Sequence, residues 1–161
     1  MKHSMSIDYD SAMLVATNEA EKARELNEVP IGAVIFSSNG TILAKAYNQV
    51  ITQADPTAHA EIMTLRQACR KAGNYRLPGT TLYVTVEPCP MCMGAIVHAR
   101  VERLVFGAHD LKWGAAGSLY NLAADTRLNH QVDVVSGILE RPCRQLMQDF
   151  FRSKRNHTPS Q

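Results

Sequence analysis

One histidine and two cysteines constrain the fold of this chain most, because they carry the ligand atoms of a metal site but lie far apart in sequence. The chain reads His59-Ala60-Glu61 and, much later, Pro88-Cys89-Pro90-Met91-Cys92. Zinc in proteins takes about four ligands in a tetrahedron, mostly thiolates and imidazoles. A fold in which these residues share one metal must bring two separate segments together.

Both segments are predicted to lie at helix starts. The spacing of Cys89 and Cys92 turns both sulfurs to one side within a single helical turn, and the unpaired amides of that turn favour thiolate over thiol. Together with His59 they would leave one coordination position open, as in catalytic zinc sites. Glu61 is the predicted base beside that position. Residues two apart in a continuing helix point roughly 200° apart, but in the first turn both side chains can lean past the helix end.

The rest of the chain alternates helices and strands. Apolar periodicity predicts helices at about residues 9–26, 58–72, 90–99 and 139–155, and strands at about residues 31–36, 41–47, 82–86, 104–106 and 132–135. Asn39-Gly40 is a strong hairpin signal, so the first two strands should be antiparallel. Thr57 is a plausible cap for the second helix. The last helix should place Leu146, Met147, Phe150 and Phe151 on its apolar side.

Composition fits one compact domain over residues 1–161, with a frayed tail from about residue 156. Hydrophobic residues make up 45% of the chain, and the net charge of +2 neither demands nor excludes a nucleic-acid partner. Neither an apolar run of about 20 residues nor a signal peptide is visible, so we expect a cytoplasmic protein with no membrane contact. Of the four cysteines, Cys69 and Cys143 should be simple core or surface thiols.

Taken singly, these motifs allow other interpretations. A lone Cys-x-x-Cys is often a redox pair or half of a structural zinc site, and a lone histidine near a helix start is often a packed residue. The combination of His-x-Glu with Pro-Cys-x-x-Cys is recognised as the pattern of zinc-dependent nucleobase deaminases.

The resemblance extends beyond the metal motif. From about residue 8 to 155 the chain resembles bacterial tRNA adenosine deaminases. The residues that carry the resemblance are Asn27-Glu28-Val29-Pro30-Ile31-Gly32-Ala33, Asp55-Pro56-Thr57-Ala58-His59-Ala60-Glu61-Ile62, Glu87-Pro88-Cys89-Pro90-Met91-Cys92-Met93-Gly94-Ala95, Phe106-Gly107-Ala108, Gly114-Ala115-Ala116-Gly117-Ser118-Leu119 and Phe150-Phe151-Arg152. The first three blocks are widespread among purine deaminases, whereas the last two are more particular to the tRNA enzymes.

This resemblance implies an α/β protein with a three-layer α/β/α cytidine deaminase-like fold and a five-stranded mixed sheet. It also implies a homodimer with one Zn²⁺ per subunit. The implied reaction is hydrolytic deamination of adenosine to inosine at the wobble position of a tRNA anticodon stem-loop. A zinc-bound hydroxide would attack the purine, and Glu61 would shuttle the protons.

The resemblance further implies a set of substrate contacts. Asn48 corresponds to a purine-reading asparagine, whose amide can both donate and accept. Val29 and Ala58 would line the base pocket. The residues implied to hold the flanking nucleotides are His98, Asp110, Phe151 and Arg152.

Two further features, Trp113 and the basic end of the last helix, each allow two interpretations. Trp113 departs from the small or polar residue expected at its position, and it could stack on a base or pack in the dimer interface. Arg152, Lys154 and Arg155 form a basic end of the last helix. They could simply complement the helix dipole, but the resemblance favours a contact with tRNA phosphates.

Three other functions compete with this interpretation. A guanine deaminase would use the same chemistry on a free base, but the 114–119 block and the basic Phe-Phe-Arg ending disfavour it. A cytosine or cytidine deaminase is disfavoured by Asn48 and the purine-type blocks. A non-catalytic zinc module that binds RNA would have no use for Glu61 beside an open coordination position.

Overall fold

A computed structural model describes residues 7–157 of the chain and has every helix and strand that the sequence predicts. The helices are α1 (Tyr9–Glu25), α2 (Ala60–Ala72), α3 (Pro90–His98) and α4 (Glu140–Asn156), and the strands are β1 (Gly32–Phe36), β2 (Ile42–Tyr47), β3 (Thr81–Val86), β4 (Arg103–Ala108) and β5 (Asp133–Val135). α4 continues to the residue at which the tail was predicted to begin, and residues 158–161 of that tail lie outside the described residues. Within residues 7–157, no helix is long and apolar enough to cross a membrane.

The five strands form one mixed sheet in the order β2-β1-β3-β4-β5. β1 pairs antiparallel with both β2 and β3, which confirms the predicted hairpin around Asn39-Gly40. β3, β4 and β5 run parallel. The chain therefore reaches the same edge of the sheet each time it leaves β3 or β4, and the loops that follow these strands lie close together.

Helices cover both faces of the sheet, which confirms the predicted three-layer α/β/α arrangement. Successive residues of a strand point to opposite faces. Val34 thus packs in a core with Met13 of α1 and Cys143 of α4. Its neighbour Ile35 packs in a second core with Leu65 of α2. All five residues of β1 are buried because both of its faces are covered.

Very close packing fixes α1 against the start of β1. A Cβ atom added at Gly32 would lie 2.1 Å from the Ala16 carbonyl oxygen and 2.4 Å from the Ala20 backbone nitrogen. Only glycine on the strand and small residues on the helix allow this approach. The packing anchors the segment just before β1, which contributes Val29 and Ile31 to the functional site.

The sequence prediction for α4 was wrong at one position. Phe150 is buried, but Phe151 is 43% exposed. Adjacent helical residues point about 100° apart, so both rings cannot face the sheet. Leu146 and Met147 are only partly buried. The buried residues of α4 are Cys143 and Phe150.

Candidate metal centre and substrate cavities

The metal-ligand candidates lie at the starts of α2 and α3, as predicted. His59 is the N-cap of α2 and Cys89 is the N-cap of α3, and both have extended backbone conformations without a side-chain cap hydrogen bond. Their side chains are therefore available for other partners. Pro90 occupies the first turn of α3, where its missing N–H has no partner to lose.

The start of α2 differs from the prediction in a way that matters for Glu61. The helix begins at Ala60, and His59 rather than Thr57 is its N-cap. Thr57 instead donates through its backbone nitrogen and its hydroxyl to Asp55 Oδ1, at 2.8 and 2.7 Å. Because His59 lies outside the helix, the helical angle between residues 59 and 61 does not apply. Both side chains can line the same cavity.

The three predicted ligands meet in one place. One ligand atom from each of His59, Cys89 and Cys92 lies within 4.8 Å of the others. The His59 Nδ1 atom lies 3.6 Å from Cys89 Sγ and 3.5 Å from Cys92 Sγ. Two sulfurs and one imidazole nitrogen form a donor set that could hold a metal ion.

The protonation of this group also suits a cation. A hydrogen bond from the Cys92 thiol, together with the His59 imidazole, lowers the pKa of Cys89 to about 4. The same hydrogen bond to Cys89, together with burial, raises the pKa of Cys92. The pKa of His59 is raised, chiefly by its hydrogen bond with Cys89. Cys89 therefore loses its proton more readily than Cys92. A metal cation that binds this group would displace the protons that remain on it.

Glu61 is buried beside the ligand group, with only 4% of its surface exposed. Burial removes water from the carboxylate and raises its pKa. Its carboxylate also interacts with the Cys92 thiol. This carboxyl group therefore holds a proton more readily than an exposed glutamate does.

Two cavities open onto Glu61 and His59. One cavity, called the inner cavity, is lined only by buried and half-buried residues and has a volume of about 200 Å³. Its lining residues are Val29, Ile31, Asn48, Val50, His59, Ala60 and Glu61. The outer cavity has a volume of about 490 Å³. It shares Ile31, His59 and Glu61 with the inner one and adds Cys89, Asp110 and Trp113, among others. The two cavities therefore adjoin each other beside the ligand group.

Asn48 presents an unused hydrogen-bond acceptor at the inner cavity. Its side chain is 5% exposed, and Nδ2 donates to the Val29 carbonyl oxygen at 3.3 Å. Its Oδ1 atom has no partner within the described part of the chain. A buried acceptor without a partner costs about 1–3 kcal/mol. Such an atom is suited to accept a hydrogen bond from a ligand.

The other predicted substrate contacts divide into two groups. Val29 lines the inner cavity and Asp110 the outer one. Ala58 is fully buried, and its carbonyl accepts from the Gln49 backbone nitrogen at 2.9 Å. It does not appear among the residues that line either cavity.

His98, Phe151 and Arg152 lie outside both cavities. His98 is the exposed last residue of α3. Phe151 and Arg152 line a separate surface cavity of about 700 Å³, together with Lys112, Met147, Gln148, Lys154 and Arg155. The predicted basic end of α4 therefore lies beside the loop that carries Trp113. Arg152 also forms an ion pair with Asp149 at 3.6 Å.

Two buried glutamates support the walls of the site, and the sequence analysis assigned neither of them a role. Glu28 accepts from the Ile51 backbone nitrogen at 2.8 Å and so holds the loop after Asn48. Glu87 accepts from the backbone nitrogens of Asp110, Ala116 and Ser118, at 3.2, 3.0 and 3.0 Å, and from the Ser118 hydroxyl. For Glu87 the available signal was a charged residue at the end of an apolar strand, directly before the Pro-Cys-x-x-Cys motif. Glu28 follows the polar residue Asn27 and carries no such signal.

The two remaining cysteines lie apart from this group, as predicted. Cys143 is buried in the core beneath Gly107, and burial raises its pKa to about 11. Cys69 packs against the other core and is partly buried. None of the four cysteines forms a disulfide.

Comparison with known proteins places the chain in a family. The model of the MafB19-like deaminase family matches residues 7–155. The chain is 52% identical to a tRNA-specific adenosine deaminase of Bacillus subtilis, over 89% of this chain and 88% of that relative. A solved structure from studies of A-to-I editing by tRNA:A34 deaminases at the wobble position shares 43% identity, with a TM-score of 0.81 over 84% of this chain and 98% of that one.

A guanine deaminase of Bacillus subtilis is less similar. Its structure shares 28% identity and superposes with a TM-score of 0.62 over 96% of this chain and 98% of that one. In sequence, the chain is therefore more similar to the tRNA-specific adenosine deaminase of Bacillus subtilis than to the guanine deaminase of the same organism.

Proposed function

The chain belongs to the family of tRNA-specific adenosine deaminases, and we propose that it converts adenosine to inosine at the wobble position of a tRNA anticodon. The observation that carries this proposal is the meeting of a His/Cys/Cys group, a buried glutamate and an asparagine oxygen that has no partner among residues 7–157. They meet at two cavities that share three lining residues. A tRNA substrate also implies that the protein works in the cytoplasm.

We propose that His59, Cys89 and Cys92 hold one zinc ion per subunit. A tetrahedron with Zn–S bonds near 2.3 Å and Zn–N bonds near 2.0–2.1 Å separates nitrogen from sulfur by about 3.5 Å. The distances from His59 Nδ1 to the two sulfurs, 3.6 and 3.5 Å, fit this value. When bound there, zinc would lower the pKa of a coordinated water and prepare it for attack on the purine.

Glu61 is the proposed proton carrier. It lines both cavities, so its carboxylate can reach the attacking water and the purine ring from one position. It would take a proton from the water and deliver it to purine N1 as the water oxygen bonds to C6. A second proton would then pass through Glu61 to the departing amine. Adenosine and water thus become inosine and ammonia.

Asn48 and the inner cavity are proposed to hold the target base. The free Oδ1 atom can accept a hydrogen bond from the exocyclic amine or from a ribose hydroxyl. Val29, Ile31 and Val50 supply apolar surface for the faces of the base. The target nucleotide must leave its stack to enter, which costs least in a single-stranded loop.

The remaining contacts are proposed to hold the rest of the RNA. Asp110 faces the outer cavity, where the flanking nucleotides would pass. Arg152 and the other basic residues of α4 would contact phosphates beyond it. Phe151 would hold a flanking nucleotide through its exposed ring. His98 is a further proposed contact for a flanking nucleotide. The exposed apolar residues Leu119, Tyr120 and Leu128 offer a surface for the proposed homodimer.

The test is deamination of a tRNA anticodon stem-loop with adenosine at the wobble position. Free guanine and cytidine serve as parallel substrates, and Glu61→Ala serves as the inactive control. We expect inosine at that single position, with no product from the variant. Formation of xanthine or uridine, with the RNA unchanged, would show that the protein is a deaminase but would refute the RNA substrate. No product from any substrate, in zinc-loaded protein, would favour a non-catalytic RNA-binding module.

A further inference from the structure

Trp113 is a large aromatic side chain left open to solvent beside the reaction site. It is the single tryptophan of the chain, and 65% of its surface is exposed. It lines the outer cavity together with Glu61, Pro56 and Met91. Tryptophan is usually well buried in a folded protein, and an exposed apolar side chain at a cavity mouth is a feature of binding surfaces.

The backbone around Trp113 is held firmly although its ring is free. The Trp113 and Lys112 backbone nitrogens donate to Asp110 Oδ1, at 3.1 and 3.0 Å. Gly114 donates to the Asp110 carbonyl oxygen at 2.9 Å. The Asp110 backbone nitrogen in turn donates to the buried Glu87 carboxylate at 3.2 Å. Because the backbone of this turn is already ordered, only the side-chain torsions of Trp113 remain to be fixed when a ligand binds the ring.

The sizes of the two cavities indicate what this ring would meet. Ligand pockets commonly measure roughly 300–1,000 Å³. The inner cavity, at about 200 Å³, has room for little beyond the target base, whereas the outer one, at about 490 Å³, leaves space for a second group. In a single-stranded loop that group is the adjacent nucleotide, and unstacked bases bind preferentially to aromatic side chains.

We infer that Trp113 stacks on the nucleobase next to the target adenosine and so sets how tightly the loop is held. This inference rests on the proposed RNA substrate. Lys112, the exposed cation beside Trp113, lines the basic cavity of α4. The phosphate backbone that continues from the stacked nucleotide would therefore run from the site towards these positive charges. Trp113 acts on binding and not on proton transfer.

The first test uses tryptophan fluorescence, because Trp113 is the single reporter of its kind. The Glu61→Ala variant is titrated with a stem-loop that keeps adenosine at the wobble position, so that no turnover occurs. Two further stem-loops carry an abasic nucleotide on the 5′ or the 3′ side of that adenosine. We expect strong quenching by the intact loop and loss of most of it with one abasic loop. Equal quenching by all three loops would contradict stacking on a neighbouring base.

The second test separates binding from chemistry. Loss of one base–aromatic stack should raise KM about 5- to 150-fold in Trp113→Ala, with kcat little changed. Trp113→Phe should retain most of the affinity because it keeps an aromatic face. Tyr75→Ala is the matched control, because Tyr75 is also an exposed aromatic residue, at 68%, but does not line either cavity. It should leave both constants unchanged.

The abasic loop and the Trp113→Ala variant together give the decisive comparison. If both changes remove the same contact, the wild-type protein should bind the abasic loop more weakly than the intact loop. The variant should bind the two loops almost equally. Equal losses in both proteins would overturn the inference, and so would conversion of the variant to monomers in sedimentation. A wild-type protein that deaminates no stem-loop would overturn the proposed function and this inference with it, whereas unchanged KM in an active variant would overturn the inference alone.

Discussion

Glu61 and Glu87 both line the outer cavity and are almost equally buried, with 4% and 3% of their surfaces exposed, but their environments are opposite. Burial dominates at Glu61 and raises its pKa. Burial would also raise the pKa of Glu87, but hydrogen bonds from Ser118, Asp110 and Ala116 outweigh it and lower the pKa. Burial alone therefore does not decide what a carboxylate does. The donors around it decide whether it exchanges a proton or stays an anion that holds a loop.

The largest effect should come from Glu61→Gln. An amide has nearly the shape of the carboxylate but cannot carry protons between water and purine, so turnover should fall by roughly 10²–10⁴. Stability should hold or rise slightly, since a poorly paired buried acid is removed. Single-turnover rates, metal content and thermal unfolding measure the three quantities. Near-normal turnover with full metal content would remove Glu61 from the mechanism.

Glu87→Gln should show the reverse pattern. The amide nitrogen would face backbone N–H groups that need an acceptor, so the free energy of unfolding should drop by about 2 kcal/mol. Metal content should be retained, and KM for RNA should rise because the loop with Asp110 and Trp113 loses its anchor. Urea unfolding is the readout. The matched control Glu102→Gln, at an exposed position, should stay within about 0.5 kcal/mol of wild type. An equal effect at both positions would refute the anchoring role.

A similar loss of stability is expected from Gly114→Ala, which tests how closely the loop packs on Glu87. A Cβ atom there would lie 2.4 Å from Glu87 Oε2 and 2.4 Å from the Asp110 carbonyl oxygen. The overlap should destabilise the protein by about 1–3 kcal/mol. Gly94→Ala is the control, because a Cβ atom on that α3 residue meets nothing within 4 Å. It should be neutral or slightly stabilising in thermal unfolding. Similar losses in the two variants would contradict the close packing of this loop on Glu87.

The two glutamates also differ in how well their roles could be predicted from the sequence. The meeting of His59, Cys89 and Cys92 was predictable because the combined motif is specific and each half of it lies at a local helix start. The hairpin was predictable from its turn residues. The role of Glu87 was not predictable, because its acceptor bonds join it to residues 23 to 31 positions further along the chain. Such contacts arise only when the β4 loop folds back over the end of β3.

Two local errors have the same cause. The predicted strand at residues 104–106 runs in fact from Arg103 to Ala108, because pairing with β3 extends it over a glycine and an alanine of low strand propensity. Phe150 and Phe151 look alike in sequence, and only the placement of α4 decides which ring is buried. In each case tertiary contacts, which local patterns do not contain, settled the outcome.

The most direct test of the account combines metal dependence with the position of the product. Purified protein is analysed for zinc and then assayed on the wobble-adenosine stem-loop in three states: as isolated, after chelation, and after zinc is restored. We predict one zinc per chain, inosine at the wobble position alone, its loss on chelation and its return with zinc. Inosine formation that persists in metal-free protein would contradict the account at its centre.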